Sequence, residues 1–150
     1  MTAKPAAVAV WNRVLFDKDW YLDDYLPEFP DRINLIAAML YAHEVTHIWQ
    51  WQNRKLTGYS PLKAASEHGG TDPYLFDIEG DPQFLDFGYE QQASIVEEFV
   101  CCRALAPTQA RTRRLHGLIA QVMPVAPLPQ SQPYDVAVPW DGVQIAGICA

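Results

Sequence analysis

Apolar residues at 33, 35, 36, 39, 40, 45, 48 and 49 follow the three-to-four spacing of a helix that starts after Pro30 and Asp31 and runs to about Leu56, before Gly58. That helix is predicted to be long and buried through its middle. "YEQQASIVEEFVCCRALAP" predicts a second, with Ile95, Val96, Phe99, Val100 and Leu105 apolar and Pro107 as its stop. Ser60 and Pro61 signal a short helix ended by Gly69 and Gly70, and Thr108 is placed to cap another over "QARTRRLHGLIAQVM", closed by Pro124. Residues 8–16, "VAVWNRVLF", read as a strand, and "DPYLFDIEGDPQFLDFG" as two extended pieces, 74–78 and 84–87, about an Asp-Pro turn. The tail from 124, rich in Pro, Gln and Val, is expected to be extended. These elements predict a single α+β domain over residues 1–150, with two main helices beside a small sheet.

Charge and cysteine content narrow the partners. Eighteen acidic against eleven basic residues leave a formal charge of −7, which repels a phosphate backbone, so no nucleic-acid partner is expected. The one basic cluster, "RTRR" at 111–114, reads as a solvated helix face. No apolar run reaches the ~18 uncharged residues of a membrane span, and the N-terminus makes a poor secretory signal. The chain is therefore expected to be made in the cytoplasm, without a membrane partner. Cys101, Cys102 and Cys149 form no recognisable disulfide framework or thiolate metal site, so they are expected to be reduced and structural.

The long helix carries polar groups where Leu or Ala would be ordinary. His43-Glu44-Val45-Thr46-His47 spells H-E-x-x-H after an apolar run. Side chains four apart stand one turn above each other, so His43 and His47 can offer their imidazoles to one ion. Glu44, beside the first histidine, reaches a water on that ion as a general base. A catalytic zinc site needs a third protein ligand and an open fourth position. The second helix supplies Glu90, Glu97 and Glu98 as candidates; Glu97 lies nearly on the face of Glu90, and Glu98 is turned away by about 80°. Glu90 is the expected third ligand.

At these residues the chain resembles the zincin metallopeptidases. Gln50, Asn53 and Arg54 stand where the longer H-E-x-x-H-x-x-G-x-x-H pattern of the metzincins would need Gly and His, which leaves the gluzincin branch, with a later Glu as ligand. "HEVTHIWQWQ" followed by "FGYEQQASIVEEF" is similar to zincin-like domains of secretion-system spike proteins and Rhs-type toxins, across residues 10–107. The resemblance implies zinc held by His43, His47 and Glu90, a peptide or protein substrate, and an association with a secretion system or toxin, with export by that route. Gluzincins carry an Asp four residues after the ligand Glu; Ser94 stands there, and Glu97 is the candidate for that orienting role.

His68, His116, Tyr59, Tyr89 and Arg103 are candidate donors to an oxyanion. "YLFDI" or "WNRVLF" is a candidate edge strand for binding an extended peptide. The rival to an enzyme is an inactive zincin-like module whose metal only cross-links two helices, but such a site has no need of Glu44.

Overall fold

The computed structural model describes residues 4–150. In chain order the elements are β1 (Ala7–Val10), β2 (Arg13–Phe16), β3 (Arg32–Asn34), α1 (Leu35–Gln52), α2 (Arg54–Thr57), α3 (Pro61–Glu67), a 3₁₀ turn (Phe84–Asp86), α4 (Tyr89–Leu105), α5 (Ala110–Ile119) and β4 (Asp135–Ala137). Two helices, α1 and α4, pack along each other at the centre, α5 covers α4, and β1 lies against α1. The expected α+β class is what is observed, although the sheets are two separate pairs: β1 with β2 antiparallel, and β3 with β4 parallel.

The core sits on the α4 side of α1. Phe84, Ile95 and Leu115 are fully buried there, with Ile33, Leu35, Phe99 and Leu118 around them. Burying a side chain of this size contributes about 1.5–3 kcal/mol. The second half of α1 buries His43, Glu44, Thr46, His47 and Gln50 instead of hydrocarbon. Such groups are costly to bury unless they are paired or bind a cation.

Several local expectations are corrected. Helix α1 starts at Leu35 rather than after Pro30 and Asp31, because Arg32–Asn34 pair with β4 and Asn34 Oδ1 accepts the N–H of Ala37. It stops at Gln52; the short α2 carries the chain to Gly58, whose φ of 69° closes the turn in the left-handed region that glycine adopts freely. Ser60 caps α3 and Pro61 opens it, as expected. The strand read over 8–16 is a hairpin, folded back at Trp11 (φ 54°) and Asn12 without any glycine. Segments 74–78 and 84–87 are not strands: the first is irregular, and the second is the 3₁₀ turn that inserts Phe84 into the core, its N–H held by Gln121 Oε1 at 2.8 Å. Gln109, not Thr108, precedes α5, and its side chain makes no cap.

The cysteine expectation is also corrected. Cys102 of α4 is joined to Cys149 in a disulfide, and Cys101 is a buried free thiol. The tail, expected to be extended, is a strand only at β4, which pairs with β3, and is otherwise irregular with turns near its end; it returns to α4, which places Cys149 against Cys102. No described helix is long and apolar enough to cross a membrane.

Cross-linking residues 47 apart restricts the unfolded chain by about 3–4 kcal/mol. Cys149→Ser is expected to lower the denaturation free energy of the oxidised protein by roughly that amount. Urea unfolding with and without a thiol reductant measures it, and the reductant is expected to weaken wild type but not the variant.

Candidate metal centre

His43 and His47 stand one turn apart on α1, with ring centroids 5.0 Å apart, and Glu90 faces them from the first turn of α4. All three are buried, and one ligand atom from each lies within 4.8 Å of the others. Glu90 Oε2 is 3.3 Å from Nε2 of both histidines. Ligands about 2.0–2.1 Å from a tetrahedral ion are separated by about 3.3 Å, so these distances match the edges of one coordination polyhedron.

The imidazole tautomers are set by neighbours. Gln50 Nε2 spends both hydrogens on Tyr89 O (3.0 Å) and Gln92 Oε1 (2.9 Å), leaving Oε1 to accept from His47 Nδ1 at 2.8 Å. His43 Nδ1 donates to Glu97 Oε2 at 3.0 Å. Each neutral ring therefore carries its hydrogen on Nδ1 and turns a bare Nε2 lone pair toward the Glu90 carboxylate. Three electron-rich atoms converging in a buried site repel one another unless a cation lies between them. The donor set, two imidazole nitrogens and one carboxylate oxygen, fits a first-row divalent ion.

Glu90 is positioned from a third element. Glu67, at the end of α3, accepts the N–H groups of Tyr89 (2.8 Å) and Glu90 (3.0 Å), satisfying two of the free donors at the start of α4. A Cβ on Gly88 would stand 3.1 Å from that carboxylate, so the glycine allows the close approach.

Without a metal, the site holds protons instead. Burial works against a charged His43, but its hydrogen bonds to the carboxylates of Glu90 and Glu97 outweigh it and raise its pKa to about 9. Burial likewise opposes ionised Glu90, yet the two histidines hold its carboxyl far below the usual range. Burial pushes Glu44 upward, with His43 and His47 pulling the other way. Glu44 Oε2 is buried with no hydrogen-bond partner among the described residues.

A cavity of about 660 Å³ opens onto His43, Glu44, His47 and Glu90, walled by β1 and α3. A second, of about 480 Å³, meets it at His43, Glu44 and Tyr74. Of the donor candidates, His68 and Tyr59 border the first cavity: His68 Nε2 is 3.2 Å from Glu90 Oε1, and the Tyr59 ring lies 5.9 Å from His47. Tyr89 lies behind, its hydroxyl on Thr57 O. Arg103 packs on Tyr134 and His116 bonds Ala126 O, both away from the site. Glu98 pairs with Arg111, as its predicted orientation requires.

Tyr74 is an unpredicted neighbour, its ring 5.9 Å from His43 and 5.6 Å from His68. Burial, together with Glu90 and Glu44, pushes the hydroxyls of Tyr59 and Tyr74 up to about 12, so both remain O–H donors. Of the candidate edge segments, "WNRVLF" contains β2, "YLFDI" is not a strand, and β1 is the strand that borders the cavity.

The chain matches no protein-family model, no curated protein and no solved structure.

Two outcomes follow from the hydrogen-bond pattern. Gln50→Ala and Glu97→Ala are each expected to weaken zinc binding about 10–100-fold, while Glu98→Ala leaves it unchanged, as read by competition with a chelating dye. A His43 pKa raised from 6.5 to about 9 stabilises the metal-free fold fully below pH 6.5, and that contribution is lost as pH rises through 9. Zinc displaces the same proton, so its affinity is expected to rise about tenfold per pH unit between 6.5 and 9, measured by calorimetry in buffers of different ionisation enthalpy.

Proposed function

We propose that the protein is a zinc-dependent peptidase of gluzincin type, with His43, His47 and Glu90 as metal ligands and Glu44 as general base. The observation that carries this reading is Glu44: a buried carboxylate beside the triad, facing the cavity, with one oxygen unpartnered. A metal that only tied α1 to α4 would be served by any small apolar residue at 44, without the desolvation cost.

Zinc bound at the triad would supply Lewis-acid polarisation and lower the pKa of a water to near neutrality. Glu44, with one carboxylate oxygen free, would serve as the base that takes a proton from water and returns it to the leaving amine nitrogen. Burial raises the proton affinity of Glu44, which suits both halves of that transfer. Tyr59, Tyr74 and His68 border the cavity and are the candidate donors to the developing oxyanion. The backbone of β1 lies along the same cavity, where an extended peptide can pair with it. The resemblance of the two helical motifs to zincins of spike and toxin proteins agrees with a peptide or protein as substrate.

Glu44→Gln keeps the shape of the side chain and removes its basicity. With one zinc still bound, hydrolysis of a mixed peptide library, read by mass spectrometry, is expected to fall about 10²–10⁴-fold. Equal cleavage by both proteins, or none by zinc-loaded wild type, contradicts the proposal.

A further inference from the structure

We infer that His68 is a positioning residue of the metal centre: it holds Oε1 of Glu90 and leaves Oε2 alone to face the two imidazoles of α1. This rests on the zinc centre of the proposed peptidase and adds to it the residue that divides the two oxygens of the third ligand.

The division is visible in the distances. Glu90 Oε2 is 3.3 Å from Nε2 of His43 and of His47, whereas Oε1 is 3.2 Å from Nε2 of His68. A carboxylate only accepts, so Nε2 of His68 carries the hydrogen of that contact. The imidazoles around Glu90 therefore have opposite parts. His43 and His47, with their hydrogens on Nδ1, turn bare nitrogens toward Oε2, while His68 turns an N–H toward Oε1. A nitrogen that donates has no lone pair to offer a metal, which keeps His68 out of the ligand set although it reaches the same carboxylate.

The end of α3 delivers this grip from two adjacent positions. Glu67 accepts the backbone N–H groups of Tyr89 and Glu90, and His68, the next residue, bonds the Glu90 side chain. One residue of α4 is thus held by both its main chain and its carboxylate. The His68 ring is itself packed edge-on to Tyr74, at 5.6 Å, on the side of the cavity that Tyr74 shares with His43.

Glu90 is buried, and either of its oxygens left without a partner would be costly. Without His68, the partner open to Oε1 is the same cation that Oε2 would meet. A carboxylate that closes on an ion with both oxygens takes up the position that a catalytic site keeps for water. His68 prevents this by engaging Oε1 from the other side. Its hydrogen is thereby committed to the ligand, which leaves the hydroxyls of Tyr59 and Tyr74 for an oxyanion.

The variants are His68→Ala and His68→Gln. The His68 side chain is 45% exposed, so neither change empties the core, and the amide of Gln can place an N–H where Nε2 stands. Zinc affinity, read by competition with a chelating dye, is expected to fall about 10–100-fold in His68→Ala and to return most of the way in His68→Gln. Cobalt(II) in place of zinc reports the coordination, because four-coordinate cobalt absorbs visible light several times more strongly than five- or six-coordinate cobalt. That absorption is expected to fall several-fold in His68→Ala and to recover in His68→Gln. Unchanged affinity and absorption in His68→Ala, or the same loss in both variants, would overturn the positioning role and leave the triad standing. One nitrogen fewer around zinc in His68→Ala, by X-ray absorption, would overturn it by making His68 a ligand. Wild type that takes up no zinc would remove the metal centre and the peptidase reading together.

Discussion

One carboxylate oxygen, Oε2 of Glu90, stands 3.3 Å from two imidazole nitrogens whose hydrogens are turned to the opposite side of each ring. In a buried site that convergence demands positive charge. A proton on His43 meets the demand in the metal-free protein, and a metal ion that the three atoms are close enough to hold would meet it through all of them together. The centre of the fold is arranged around this one contact between α1 and α4. Its neighbours Gln50, Gln92, Glu97 and Glu67 are polar where a helical core would ordinarily be hydrocarbon.

This arrangement places chemistry on rigid elements. Each histidine is oriented by a side chain of known polarity: Gln50, with both amide hydrogens committed, for His47, and the Glu97 carboxylate for His43. Glu67 ties α3 to the first turn of α4, which joins the wall of the cavity to the element that carries Glu90. Glu44 is the exception, a buried carboxylate with an oxygen left unpartnered. Polar groups are left in that condition at a cost, which the proposed role of Glu44 as general base would explain.

The site was more legible in the chain than the fold around it. His43, Glu44 and His47 are fixed by helical period within five residues, and the seven-residue spacing of Glu90 and Glu97 puts both on the α1-facing side of α4. Their distinct parts, ligand and partner of His43 Nδ1, follow from where α4 crosses α1. Gln50 was readable only as a departure from a longer zinc motif. Its bond to His47 depends on Gln92, 42 positions later, which no local pattern reveals. Tyr74 arrives on an irregular segment with neither period nor turn signal. The hairpin at Trp11 and Asn12 was missed because the expected glycine is absent, and the Cys102–Cys149 bond because the tail's path back to α4 is a tertiary fact.

X-ray absorption at the zinc edge, on protein brought to one equivalent of the metal, tests the central claim most directly. A single ion bound by two imidazole nitrogens at about 2.0–2.1 Å and by light oxygen scatterers, with one nitrogen lost in His47→Ala, is the predicted result. Sulfur scattering at about 2.3 Å, a spectrum unchanged by His47→Ala, or folded protein that does not take up zinc would contradict it.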